Sequence, residues 1–179
     1  FEALCGYDGT NFTLVGRGVP VRVSGGRVTT NFFSVLGVIP ALGRDFQSED
    51  MASPVALISY DFWQRHFAGD ISAMGQTLNL SNQLYTVIGV VPPNKSAQGN
   101  DSVWIPLRVT EGDARRSQHA LAVIGRLKPN ISLSRARAEM TTIAERLARE
   151  YPESNRGSSV RLAPLREAIV GSARTPLKS

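Results

Sequence analysis

The sequence predicts an α+β fold in which a split sheet draws on both chain ends and residues 38–114 form a mostly-β insertion between them. Three observations predict it. Near the start, Val19, Val21 and Val23 alternate with Pro20, Arg22 and Ser24, the period of two of a half-buried strand. Near the end, Ala136, Met140, Ile143 and Leu147 recur on one helix face, while Arg135, Arg137, Glu145, Arg146 and Arg149 cover much of the rest. Between the two lie short apolar runs bounded by turn residues. The first part therefore reads strand–helix and the last strand–helix–strand, two halves that can join.

Taken in order, residues 10–28 predict one or two strands, with Gly16, Gly18, Gly25 and Gly26 marking turns. Thr29-Thr30-Asn31 offers N-cap chemistry for a short helix bearing Phe32, Phe33, Val35 and Leu36, which Gly37 closes in a left-handed conformation. Residues 54–59 are a buried strand. Ser59 caps a helix over about 60–67, with Tyr60, Trp63 and Phe67 on one face. Residues 74–80 and 83–91 are strands around the turn Ser81-Asn82, 92–102 a loop, and 103–107 another strand. The charged stretch 108–118 marks a boundary. A strand follows over 120–127 and then the helix over 133–150, capped by Ser132 or Ser134 and ended at Tyr151-Pro152. Val160 and Leu162 predict a strand, and 165–170 a short helix.

Composition narrows the function classes. The chain has 179 residues, 42% hydrophobic and 20% charged, enough for a proper core. A net charge of +5 raises nucleic acid as a partner. The arginines are dispersed, however, and the densest basic stretch also carries Glu111 and Asp113, so no nucleic-acid partner is expected. Weak attraction to anionic lipid fits better if a membrane lies nearby. Cys5 stands alone, which excludes an intrachain disulfide and reads as a small apolar side chain. No apolar run reaches the ~18–20 residues of a membrane span, and no signal peptide is expected within these residues. A start at Phe1 and a polar end at Lys178-Ser179 lead us to expect a piece of a longer protein.

No motif for chemistry assembles locally, and no catalytic, cofactor-binding or metal-ligating residue is assigned. Lys95-Ser96 lacks the upstream glycines of a phosphate loop, and Gly16-Arg17-Gly18 lacks the third glycine and the helix of a dinucleotide fingerprint. His66 and His119 have no neighbour at ligand spacing; His66, beside Trp63 and Phe67, reads as a packing residue. Asp45, Glu49 and Asp50 lack the spacing of a cation loop and read as a solvated loop with Arg44 paired to Asp50. Phe32, Phe33, Trp63 and Trp104 read as core anchors rather than a pocket lining.

Several segments in order carry a resemblance: Val28-Thr29-Thr30-Asn31-Phe32-Phe33-Ser34-Val35-Leu36-Gly37; Pro40-Ala41-Leu42-Gly43-Arg44-Asp45-Phe46; Val55-Ala56-Leu57-Ile58-Ser59-Tyr60; Tyr85-Thr86-Val87-Ile88-Gly89-Val90; Val103-Trp104-Ile105-Pro106-Leu107; and Gly125-Arg126-Leu127-Lys128-Pro129. Over residues 15–175 the chain resembles the periplasmic core domain of MacB-like ABC transporter permeases, a group that includes lipoprotein-release and FtsX-type proteins. One departure is Asn130, where the family often has glycine. The first dozen residues match nothing distinctive.

The resemblance implies two lobes: a porter-like α+β lobe from 1–37 plus 115–179, and an inserted mostly-β lobe with one short helix over 38–114. It implies a place on the periplasmic face of the bacterial cytoplasmic membrane, next to the membrane through flanking helices. The implied partners are an ABC ATPase subunit or domain acting through those helices and a second permease copy in a dimer; a periplasmic adaptor is a further partner that it allows. It implies no enzyme activity and no cofactor here, the domain coupling ATP hydrolysis mechanically to efflux, with hinges at 37–43 and 108–117. The rival classes are a free-standing extracytoplasmic peptide- or lipid-binding module and a hydrolase with a spatially assembled site.

Overall fold

The computed structural model describes residues 1–16, 18–93, 101–108, 121–155 and 160–167. It confirms the α+β class and divides into two compact units. One gathers Cys5–Arg108 with Leu121–Val123, the other Phe1–Leu4 with the described part of Ile124–Ser179.

The larger unit is built on a ring of strands. β1 (Ala3–Val15) begins well before residue 10, where the sequence reading placed the first strand. Gly16 and Gly18, with φ of 87° and 93°, turn the chain into β2 (Val21–Val28), so that Tyr7 to Leu14 pair antiparallel with Val28 to Val21. Gly25 and Gly26 are not turns, as the sequence suggested, but lie inside β2. A Cβ at Gly25 would collide with the Val103 carbonyl oxygen and come within 2.8 Å of the Phe12 ring; one at Gly26 would lie 2.5 Å from the Tyr7 ring. Glycine here permits close approach rather than reversal.

α1 (Phe32–Leu36) buries Phe32, Phe33 and Val35 and ends at Gly37 with φ 69°, the left-handed close that the sequence predicts. Its expected side-chain cap is absent. The Thr29 hydroxyl instead donates to Asn31 Oδ1 at 2.8 Å and accepts the Gly6 N–H at 3.0 Å, tying the helix start to β1. β3 (Leu42–Gly43) and β4 (Val55–Ser59) follow, then α2 (Tyr60–Phe67), whose first turn is capped by Ser59 Oγ accepting the Phe62 N–H. β5 (Thr77–Leu80) and β6 (Gln83–Val91) form a hairpin whose turn residues Ser81 and Asn82 both have positive φ. β7 (Val103–Pro106) completes the unit.

The pairings close on themselves. β1 pairs β2, β2 pairs β7, β7 pairs β4, β4 pairs β6, β6 pairs β5, and β5 returns to β1 through Leu14 with Leu80 and Val15 with Asn79. Phe12, Leu14, Val23, Ala56, Ile58, Leu78, Leu80, Tyr85, Val87, Val90, Val103 and Ile105 form one core cluster, with Phe62 and Phe67 of α2 joining it. Alternation puts this set on one face of each strand. In β6 the parity changes between Val87 and Val90, because the β4–β6 register skips Ile88 at a bulge. Gly89 fits there because a Cβ would lie 2.6 Å from the Arg44 carbonyl oxygen. The opposite faces carry a second layer, where Phe33 meets Trp104 edge to face at 5.3 Å and Tyr7 stacks on Phe32 at 5.9 Å.

The ring explains why the units differ from the lobes expected over 1–37 plus 115–179 and over 38–114. β2 is locked to β7 and β1 to β5, so residues 5–37 belong with 38–108. The segment 37–43, expected as a hinge, lies inside this unit and is pinned: Val38 N–H donates to Phe33 O, and Ala41 N–H to Val90 O, each at 2.8 Å. Of the other expected hinge, 109–117 lies outside the described residues.

In the second unit, β8 (Ala122–Arg126) contributes Ile124 to Arg126. Glu2 N–H donates to Arg126 O at 2.8 Å, and Gly125 leaves room for Phe1 and Leu4. The first residues of the chain thus meet the end of β8. Asn130 adopts φ 66° in the loop that follows, the conformation glycine takes most readily. α3 (Leu133–Glu150) has the bounds read from the sequence, with the Ser132 side chain accepting the Arg135 N–H. Only Ala136 is buried on it among the described residues. After α4 (Pro152–Asn155), Val160 and Leu162 form no strand; the Leu162 carbonyl accepts from Arg137 Nε and Nη2 instead. Residues 165–167 are helical, and 168–170 lie outside the described residues.

Candidate functional site

The larger unit contains a cleft of about 660 Å³ between the start of β2, the first turns of α2, the exit of β6 at Pro92 and Pro93, and the start of β7. Its lining mixes Arg22, Asp61, Arg65 and Asp101 with Tyr60 and Trp104. Such mixed concavities are common binding sites. Asp101 sits where β7 begins and accepts a 2.8 Å hydrogen bond from the Tyr7 hydroxyl. Burial raises the Asp101 carboxyl above the usual carboxylate range, while hydrogen bonds from Tyr7 and Trp104 oppose that shift. Burial, with Asp101 beside it, pushes the Tyr7 phenol well up. At the same cleft the His66 ring packs against Phe62, tilted by 37° with ring centroids 4.3 Å apart, the packing role expected of it.

The other residues weighed in the sequence are dispersed. Cys5 is buried. Phe32, Phe33 and Trp104 are core anchors, whereas Trp63 is half-buried and donates its indole N–H to Asp70 O at 2.8 Å. His119 and Lys95-Ser96 lie outside the described residues. Among the described residues no three His, Cys, Asp or Glu side chains gather into a possible metal site. The acidic loop corrects one expectation. Arg44 does pair with Asp50, through Nη1 to Oδ2 and through Nη2 to Oδ1 at 3.0 Å, but Asp50 is only 5% exposed rather than solvated. It also accepts the Gln47 N–H, and the Arg44 guanidinium holds its carboxyl below the usual range. The sequence missed Phe62 as the innermost residue of α2, and missed the Tyr7–Asp101 bond, which joins residues far apart in the chain.

Residues 4–143 match the family described as the MacB-like periplasmic core domain. The chain belongs to this family. This core domain is 26% identical over 132 residues to a protein of Pseudomonas entomophila (strain L48) named a probable export ATP-binding/permease protein MacB, covering 71% of the chain and 20% of that relative. It is also 26% identical over 125 residues to a similarly named protein of Pseudomonas fluorescens (strain Pf0-1), covering 67% of the chain and 19% of that protein. The core domain thus spans about a fifth of the length of these relatives. Its fold is that of the crystal structure of the periplasmic region of MacB from Actinobacillus actinomycetemcomitans, with a TM-score of 0.68 at 14% identity over 98% of this chain and 77% of that one. The extracellular domain of the noncanonic ABC-type transporter YknZ from Gram-positive bacteria gives a TM-score of 0.62 at 13% identity over 86% and 79%. Membership in a periplasmic core family places the domain outside the cytoplasm. Among the described residues no helix is long and apolar enough to cross a membrane.

Proposed function

We infer that this core domain is the extracytoplasmic body of an ABC transporter permease on the outer face of the bacterial cytoplasmic membrane, and that it passes the work of a cytoplasmic ATPase to export. The reading makes it a mechanical part and not an enzyme. The observation that carries it is the closed ring of six strands, a body whose hydrogen bonds lock one strand to the next. Such a body moves as a whole when a neighbouring element pushes it. Coupling of this kind needs two arrangements with different contacts. The division into two compact units fits a body made of more than one piece, and the hinge proposed over 108–117 stays part of this reading. The relatives' names join ATP binding and permease in one protein, which supports an ATPase partner reached through membrane helices. A second permease copy and a periplasmic adaptor complete the proposed assembly.

The test uses the full-length permease with its ATPase in proteoliposomes, in a Cys5→Ala background, with one new cysteine in each unit. Crosslinking the pair is expected to stop export while ATP still binds. Full export after complete crosslinking would refute the coupling role.

A further inference from the structure

The cleft runs beside an edge of β2 that no described strand pairs with next to Arg22. Thr13, which lies opposite Arg22, has both main-chain groups engaged on its other side: its N–H donates to Ser81 Oγ at 3.0 Å, and its carbonyl accepts the Ser81 N–H at 2.8 Å. Thr13 and Arg22 are therefore a non-hydrogen-bonded pair of the antiparallel ladder, which turns the Arg22 N–H and C=O away from β1. Two residues on, the Ser24 carbonyl faces that same side and accepts the Ser102 N–H at 2.9 Å. β7 then occupies this edge from Gly25 onward. Among the described residues no strand pairs with β2 beside Arg22, and this residue lines the cleft. An exposed donor and acceptor on a strand edge recruit another extended chain.

The charges select what kind of chain. Arg22 and Arg65 both line the cleft, and among the described residues neither has a carboxylate within ion-pair distance. Among the described residues Arg65 donates to the Asp61 carbonyl oxygen, at 3.2 Å. Of the two carboxylates in the lining, Asp101 is engaged by Tyr7, and Asp61 is exposed to water. Pro92 and Pro93 form part of the wall and bring no N–H donor to compete for an incoming carbonyl.

We propose that this cleft docks an extended acidic peptide segment as an added strand beside Arg22, with its carboxylates toward Arg22 and Arg65. The proposal is independent of the force-coupling reading.

The test is fluorescence anisotropy of the 179-residue chain with labelled seven-residue peptides of alternating Thr and Glu or of alternating Thr and Lys. Hydrogen exchange at the Arg22 amide is followed in parallel. The Thr/Glu peptide is expected to bind at least about ten-fold more tightly, Arg22→Glu and Arg65→Glu each to weaken it about ten-fold, and the peptide to slow exchange at Arg22 in the unmutated chain. Binding that ignores both substitutions, or that leaves Arg22 exchange unchanged, overturns the proposal. Capture on phosphatidylglycerol vesicles that needs both arginines, with no preference between the peptides, would assign the cleft to a lipid surface instead.

Discussion

At the scale of the residue, the larger unit depends on glycines that sequence reading takes for punctuation. Gly25 and Gly26 look like a turn because two adjacent glycines usually break a strand. What fixes them is a partner remote in the chain, the Val103 carbonyl and the rings of Phe12 and Tyr7. Gly25→Ala is expected to lower unfolding stability by about 1–3 kcal/mol, the usual cost of overpacking a filled interior. A urea titration checks this, and no loss would mean the β2–β7 approach is looser than described. The Arg44–Asp50 pair was legible, being six residues apart, but the burial of Asp50 was not, since nothing local reveals it. Arg44→Ala leaves a buried carboxylate with the Gln47 N–H and should cost about 1–3 kcal/mol.

The carboxylates also set opposite pH slopes. Asp50, held low by Arg44, contributes stability that is present above the unfolded carboxylate pKa and lost as pH falls through its depressed folded value. Asp101 and Asp45, both raised by burial, contribute stability that is full below the unfolded value and lost as pH rises through their raised folded values. Stability should therefore rise on acidification from neutral pH into the upper carboxylate range, then fall in stronger acid. Asp101→Asn should make the first limb shallower, with Asp45 keeping the remainder, and leave the second. Thermal unfolding midpoints across pH decide it; an unchanged first limb would remove Asp101 as one of its sources.

At the scale of the element, legibility followed locality. α2 and α3 were read to their bounds because helical period, serine cap and C-terminal stop all lie within the segment. α1 was found too, yet its start was misattributed: Thr29 turns its hydroxyl to β1, a contact no local rule contains. The strand expected at Val160 failed because two apolar residues promise a strand only where a neighbour accepts it, and here Arg137 takes the Leu162 carbonyl. The caps yield a measurable expectation. Ser59→Ala removes the acceptor for the Phe62 N–H and should cost about 1 kcal/mol. Ser59→Asp should retain most of that stability, and equal losses for both substitutions would argue against a capping role.

At the scale of the whole molecule, the sequence suggested a division into two parts but not where the boundary runs. Glu2 donates to Arg126 O, whereas the first segment from Cys5 onward joins the ring. The deciding pairings, β2 with β7 and β1 with β5, are long-range and leave no periodic trace. The candidate cleft was equally hidden, because its walls come from four separate stretches of chain. Burial differs between the units: β4, β6 and β7 carry residues with no exposure, while α3 buries Ala136 alone among the described residues. Amides of β4, β6 and β7 should therefore exchange much more slowly than those of α3. Equal protection in native-state hydrogen exchange would show that the two units open together.

The order in which the staves of the ring are synthesised has a consequence for biogenesis. β7 is the last of the six made, yet it fits between β2 and β4, which are made long before it. Until Val103–Pro106 has been delivered, those two earlier strands each lack a neighbour. A nascent or half-exported chain thus passes through a stage with two sticky flanks, and a product stopped short of Val103 is expected to aggregate where the complete chain does not.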